Sequence, residues 1–358
     1  MGGDVAHAKR LTTAGSGVPV RITLADVATH SGVSRSTASR ALTGRGYAAP
    51  EVKSRVLAAA EDLGYVPDAN ARSLKARHTP TVGLLVSDLR NRFYAEVASG
   101  AGGVLRAEGY TIVLVDDAGS DMEEMAAART FLAMRVAGVL LTPVSAAATQ
   151  FILRQGVPVI EIDRQYCRGE CDAVLVDNVT AARDLTRHMI ELGHRRITMI
   201  ADDVGWTSGA GRAKGHLQAL AEAGHPAGDE AVVCCGFDPE RIEKETAELL
   251  SRRRRPTAVF AANNLVAEIV WRQATRLGLR IPDDLSFVAF DDSPWMSMVE
   301  PGITTVGQPS AEVGARAARQ LLNRMRKPGR PRTTRLDCPL IERGSTAPLR
   351  RRRSAPAK

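Results

Sequence analysis

At 358 residues and 44% apolar content, the chain is too long for a single core and too apolar for a disordered one, so two or three folded domains are expected. Its 48 Lys and Arg outnumber 40 Asp and Glu, and the surplus sits at the ends: residues 1–78 hold eleven basic side chains against six acidic, residues 350–358 hold five against none, and the middle is nearly neutral. No apolar run approaches the ~18 residues of a membrane span and residues 1–20 lack the apolar core of an export signal, so a cytoplasmic protein is expected; Cys167, Cys171, Cys234, Cys235 and Cys338 lack paired C-x-x-C spacing, which predicts free thiols and no metal site.

Residues 1–20 show no periodic pattern and are expected to be disordered. At Thr23 a hydroxyl can cap a first helix while Asp26, three residues on, completes a capping box. Leu24, Val27 and Ala28 share one face of that helix. Ser31-Gly32 breaks the run, Val33 fills a corner, and Ser34 caps a second helix reaching about Leu42. Ala38, Ala41 and Leu42 face inward there, leaving Arg35, Ser36, Thr37 and Arg40 outward near its start. That is a helix-turn-helix, whose second helix presents its N-terminal side chains to base edges in the major groove. A small capped hairpin with a solvated face would share the pattern. Pro50-Glu51 opens a third helix with Val52, Val56, Leu57, Ala60 and Leu63 at helical spacing, ended by Gly64. Residues 68–76 can form only about nine residues of helix, too short to persist alone in water.

From Pro80 onward short apolar runs alternate with amphipathic helices, the pattern of a parallel sheet covered on both faces. Nine strands are predicted, over 81–87, 110–116, 136–144, 157–163, 172–178, 196–202, 231–236, 257–263 and 285–292. Nine exceed one compact doubly wound domain, so two similar lobes are expected. Polar groups close the strands at Ser87-Asp88, Asp163-Arg164, Asp177-Asn178, Asn263-Asn264 and Asp291-Asp292, where ligands of open α/β sheets bind. Neither Gly100-Ala101-Gly102-Gly103 nor Gly209-Ala210-Gly211 follows a strand with dinucleotide spacing, and no G-x-S-x-G elbow is present, so no enzyme and no cofactor are expected.

The stretch from Asp26 to Leu74 resembles the LacI/GalR family of bacterial transcription regulators. The resemblance is carried by Asp26-Val27-Ala28, Gly32-Val33-Ser34, Thr37-Ala38-Ser39-Arg40, Leu63-Gly64-Tyr65-Val66-Pro67 and Ala71-Arg72-Ser73-Leu74. It implies a helix-turn-helix domain over 21–66, a hinge over 67–78, and a two-lobed periplasmic-binding-protein-like effector and dimerisation domain over 79–345. Lobe 1 is placed near 79–177 and 308–334, lobe 2 near 178–307 and 335–345, with a basic tail at 346–358. A repressor is implied, bound as a homodimer to a palindromic operator with a central CG step. Ser34, Arg35, Ser36, Thr37 and Arg40 would face the DNA with Thr43 and Tyr47 nearer phosphates, and Ala71, Leu74 and Lys75 of the hinge would enter the minor groove. Phe93, Tyr94, Asp163, Arg164, Ser208, Arg212, Phe237, Asn263 and Asp291 match the family's effector pocket. Chemically they suit a sugar, since carboxylates, amides and guanidinium groups bond vicinal hydroxyls and rings stack on a sugar face. The alternatives are a nucleobase acting as corepressor, or a solute-binding module that does not regulate DNA. The chain departs from the family at Asn264, where Asp is usual, at Glu268, where Gly is common, at Glu240-Arg241-Ile242, and at Ala48.

Overall fold

A computed structural model describes residues 22–44, 46–66, 79–225, 228 and 230–349, which fall into two compact units divided between Arg77 and His78. The first unit is a three-helix body of α1 (Leu24–His30), α2 (Arg35–Thr43) and α3 (Pro50–Asp62). Thr23 and Asp26 form the capping box reciprocally, with the Thr23 N–H donating to Asp26 Oδ2 at 2.8 Å. Ser34 caps α2 by accepting the Thr37 N–H at 3.2 Å. Gly44 and Gly64 leave α2 and α3 at φ 67° and 62°, the left-handed region glycine enters without strain. Val27, Ala28, Ala38, Ala41, Val56, Ala59 and Ala60 make the core. Leu57, expected to share the inner face of α3, is instead 47% exposed. One residue past Val56 is a 100° turn of the helix, and the buried stripe runs through Val56, Ala59 and Ala60.

The second unit holds two sheets. The first sheet is entirely parallel and joins β1 (Thr81–Val86), β2 (Thr111–Asp116), β3 (Gly138–Leu141), β4 (Val159–Ile162), β5 (Asp172–Val176) and β11 (Thr333–Leu336) in the order β11-β5-β4-β3-β1-β2. It is covered by α4 (Arg92–Ala107), α5 (Asp121–Ala133), α6 (Ala146–Arg154) and α12 (Ser310–Arg326). The second sheet runs β12-β10-β9-β8-β6-β7, from β6 (Ile197–Ala201), β7 (Val232–Cys234), β8 (Ala258–Ala261), β9 (Ser286–Phe290), β10 (Thr304–Val306) and β12 (Leu340–Ile341), the last antiparallel. Its helices are α7 (Asn178–Glu191), α8 (Thr207–Glu222), α9 (Pro239–Ser251), α10 (Asn264–Arg276) and α11 (Pro294–Met298). The chain passes between sheets three times, after β5, after β10 and after β11.

All nine expected strands are present. Three short ones, β10, β11 and β12, join them at the sheet ends opposite β7 and β2. Two boundaries move. The expected division at residue 334 falls inside β11, whose Arg335 and Leu336 pair with Leu175 and Val176, so lobe 1 extends to Leu336. Residues 346–349, expected in the tail, dock on lobe 2: Thr346 Oγ1 lies 2.9 Å from His188 Nε2 and the Leu349 N–H donates to the Leu192 carbonyl at 2.8 Å. Residues 1–21, the hinge at 67–78 with Ala71, Leu74 and Lys75, and residues 350–358 lie outside the described residues.

The glycine-rich stretches are helix contacts. Gly100 lies within α4, where an added Cβ would stand 1.9 Å from the Ala311 carbonyl of α12; one at Gly314 of α12 would stand 2.0 Å from the Val97 carbonyl of α4. Gly209 and Gly215 of α8 approach backbone equally closely, at Asp203 and Val179. Only a residue without a side chain permits helices this near.

Candidate functional site

In the first unit the outward face of α2 carries a short polar network. Ser34 Oγ lies 2.9 Å from Ser36 Oγ and 2.8 Å from Thr37 Oγ1, and Arg40 donates to the Ser36 carbonyl at 3.3 Å and to Thr37 Oγ1 at 3.4 Å. Thr43 bonds the Ser39 carbonyl at 2.7 Å. Arg35 is exposed, and no side-chain partner holds it among the described residues. Tyr47, just past the helix, is 83% exposed. The arrangement leaves one guanidinium and several hydroxyls at a helix N-terminus, groups that bond base edges and phosphate oxygens.

In the second unit the strand ends of both lobes meet around a cleft. Phe93, Tyr94, Asp163, Arg164, Ser208, Arg212, Phe237, Asn263 and Asp291 all line one cavity, together with Ser87, Asp88, Asn91, Asp202, Asp203, Trp206, Leu265 and Gln308. Asp163 follows β4 and Asp291 follows β9, and both hold left-handed backbone, at φ 64° and 74°. A carboxylate residue tolerates that region better than most, but the conformation is strained, as at many ligand sites. Asp291 accepts the Asn264 N–H at 3.0 Å and a second bond from Gln308 Nε2, which fixes its carboxylate.

Arg164 is buried at the centre. It donates to Ser87 Oγ at 3.1 Å and Tyr94 Oη at 3.0 Å, and its guanidinium carbon lies 3.1 Å from the centre of the Trp206 ring on the other lobe. Trp206 in turn leans on Phe237, with ring centres 4.2 Å apart. Arg212 is anchored by Asn178 Oδ1 at 2.8 Å and the Ala262 carbonyl at 2.7 Å, over the Phe290 ring. Asn263 caps α10 through the Val266 N–H at 2.9 Å and donates to Asp202 at 2.7 Å. Burial pushes the Asp163 carboxyl up against the opposing pull of Arg164 and Arg212, and burial likewise raises Asp202. Burial also raises the Tyr94 phenol, so its oxygen stays protonated beside Arg164.

Five carboxylates and two guanidinium groups therefore surround a cavity of about 40 Å³, room for little more than one water. Asn264 Nδ2 donates across the cleft to Asn91 Oδ1 at 3.0 Å, and the Gln165 N–H donates to Thr207 Oγ1 at 3.2 Å. The Asn264 departure thus supplies a donor that an ionised Asp would lack. Asp177 serves as the cap of α7, and Asp292 pairs with Arg343 at 2.6 Å. Trp206 and Asp202 escaped the sequence reading. Asp202 carried a signal, as the polar residue closing a predicted strand; Trp206 had none, being a loop residue brought to Arg164 by the fold. Among the described residues no group of His, Cys, Asp and Glu could hold a metal, and no helix is long and apolar enough to cross a membrane.

Residues 23–68 match the model of bacterial regulatory proteins of the lacI family, and residues 186–346 match that of a periplasmic binding protein-like domain. The HTH-type transcriptional repressor PurR of Yersinia pestis (strain Pestoides F) is 33% identical over 331 residues, 91% of this chain and 97% of its own. A solved complex of the transcriptional regulator CelR with cellobiose is 31% identical, covering 91% of this chain and 100% of its own, with a TM-score of 0.68. A LacI family regulator from Enterococcus faecium with bound ribose is 28% identical over 75% of this chain and 100% of its own, also at 0.68.

Proposed function

The chain belongs to the lacI family of bacterial regulatory proteins, and from that premise we propose that it represses transcription in the cytoplasm by binding a palindromic operator as a homodimer, under control of a neutral sugar in the interlobe cleft. A DNA-binding transcriptional repressor with an effector-binding unit, it is not an enzyme.

The observation that carries the sugar is the charge of the cleft. With Asp88 paired to Arg90, four carboxylates remain against two guanidinium groups, an excess that disfavours an anionic ligand such as a sugar phosphate and offers acceptors to a ligand rich in hydroxyl donors. Trp206 and Phe237, tilted by 43° to each other, supply apolar ring surface for a sugar face once Arg164 leaves the Trp206 ring. CelR is described with cellobiose and the Enterococcus regulator with ribose, which agrees with that chemistry. The same aromatic wall suits a planar base, so a nucleobase corepressor is the second reading. A ligand of either size enters only when the lobes part, since the closed cavity is so small. Lobe movement is then the signal, passed to the hinge, where Leu74 and its neighbours would wedge into a central CG step.

One α2 helix spans only a few base pairs, so specific affinity needs two copies on symmetric half-sites. Strand β2 is the open edge of the first sheet, and Leu114 on it, with Leu89 nearby, is exposed. That edge suits a second copy of the chain.

The test is selection of DNA fragments by the purified protein near physiological salt, where phosphate-only binding is weakened. A palindrome with a central CG step is expected, released or tightened by sugars and unmoved by nucleobases. Arg35→Ala should relax preference at one base pair per half-site, by roughly 1–3 kcal/mol or about 5–150-fold. Unchanged preference at every position would refute the assignment of Arg35.

A further inference from the structure

Two arginine groups meet at the end of the second sheet where its strands begin. Arg195 and Arg196 precede β6, Arg252 to Arg255 precede β8, and those strands are hydrogen-bonded neighbours. Arg196 Nε donates to the Arg255 carbonyl at 3.3 Å and the Thr257 N–H to the Arg196 carbonyl at 2.9 Å, tying the two groups together. The end of the described chain arrives there too. Leu349 is bonded to Leu192, and His194 Nε2 lies 3.1 Å from the Ala347 carbonyl; the next four residues in the sequence are Arg350, Arg351, Arg352 and Arg353.

Neighbouring acids do not neutralise this surface. Glu230 is taken by Arg252 at 2.6 Å, and Asp284, which Arg255 also reaches electrostatically, is held by Arg280 at 2.9 Å. Arg195, Arg253 and Arg254 are exposed and have no ion-pair partner among the described residues. We propose that this end of the effector unit is a second, sequence-independent contact for duplex DNA.

Guanidinium forks on short ordered loops match phosphate oxygens, and no aromatic side chain lies in either arginine segment or after Leu349. Stacking on single-stranded bases calls on such rings; an anionic lipid surface does not, since basic clusters bind it by charge alone, but the DNA-binding unit of the same chain already brings it to a duplex, so duplex phosphate is the fitting partner. The cleft lies at the opposite ends of the same strands, about 16 Å away for a five-residue strand such as β6. Effector and this contact therefore do not compete for space. A protein holding an operator through its heads could then gather a second duplex. The contact lies in the effector unit, and the inference rests on DNA binding by the first unit but not on the identity of operator or effector.

The experiment compares the full-length protein with an Arg195→Gln, Arg253→Gln, Arg254→Gln variant and its all-Lys counterpart, Arg196 being kept for its backbone bond. Binding of a labelled short duplex of arbitrary sequence, to protein whose heads are already saturated with the selected palindrome, is followed against salt. Loss of three phosphate contacts lowers the log–log slope by about 2.7, so that between about 50 and 200 mM salt the Gln variant loses affinity about 40-fold less than wild type. The Lys variant should restore the slope. In a second assay, protein saturating a bead-bound duplex should capture a labelled second duplex, and the Gln variant should not. An unchanged slope, capture that survives in the Gln variant, or preferential binding of the patch to anionic phospholipid vesicles or single-stranded RNA would overturn the proposal.

Discussion

Replacing Arg164 by Ala removes the side chain on which closure of the two lobes is built. The guanidinium gives hydrogen bonds at 3.1 and 3.0 Å to Ser87 and Tyr94 and stacks at 3.1 Å on Trp206. Bonds from a charged donor contribute about 1.5–3 kcal/mol each and a desolvated cation–π contact about 2, while the guanidinium regains hydration when unfolded, which offsets part of the sum. A net loss of about 3 kcal/mol is expected, in the range for breaking a buried charged pair. At roughly 2–4 °C per kcal/mol for a unit of this size, Tm falls by about 6–12 °C. The deficit should also depend on pH. Burial already raises Asp163 and Arg164 pulls it down, so without Arg164 the ionised carboxylate is held at greater cost. Protonation removes that cost, and the difference from wild type should therefore be largest near pH 8 and shrink as pH falls. Calorimetric melting across that range reads both effects. The chain has three tryptophans, Trp206, Trp271 and Trp295, so a Trp271→Phe, Trp295→Phe background isolates the Trp206 indole, which should shift its emission to the red as water reaches it. Melting within 2 °C of wild type (about 1 kcal/mol or less) together with an unmoved Trp206 spectrum would refute the reasoning.

Burial pushes Glu124 up to about 7 and Asp117 up to about 6, and each has one buried oxygen without a partner among the described residues. Folded values above the unfolded 3.8 and 4.5 mean stability fully present below about 4 and lost as pH rises from there through the folded values of about 6 and 7. Glu124→Gln, which keeps an acceptor for the Val144 N–H, should flatten that slope and raise stability at pH 8 by about 1–2 kcal/mol; a melting profile still parallel to wild type would count against it. Gly314→Ala drives a Cβ to within 2.0 Å of the Val97 carbonyl and should cost at least 3 kcal/mol, roughly. Gly103→Ala on α4 meets nothing within 4 Å and should be neutral or gain up to about 1 kcal/mol. Equal denaturant midpoints for the two variants would show that α4 and α12 are not locked at their glycines.

Strands such as β3 and β8 were legible because a strand buried on both faces is written as an unbroken apolar run, Gly138–Leu141 and Ala258–Ala261. Strands β10, β11 and β12 lack that signature. Thr304-Thr305-Val306 and Thr333-Thr334-Arg335-Leu336 are short and half polar, and they become strands by pairing with β9 and β5. The same contrast divides the cleft. Asp163, Asn263 and Asp291 stand where a strand ends, a place sequence pattern can find. The Arg164–Trp206 stack and the Asn91–Asn264 bond join segments 42 and 173 residues apart, and nothing local announces either.

Those long-range contacts set what an effector has to do. The described links across the cleft are few and polar: one stack, the Asn264–Asn91 bond, the Gln165–Thr207 bond and the Gln308–Asp291 bond. Interfaces of that kind between lobes open readily, and in the proposed function the same groups receive the ligand. An effector shifts the lobes only by its difference in affinity for open and closed forms. A ring inserted between Arg164 and Trp206 forfeits a contact of about 2 kcal/mol, roughly 30-fold in population, and has to recover it on Asp163, Asn263 and Asp291. A neutral polyol can do so because each hydroxyl brings a donor to carboxylates already ordered by Asn264, Gln308 and the strand ends. A ligand that merely touched the rim would leave the stack intact and the lobes where they were, however tightly it bound.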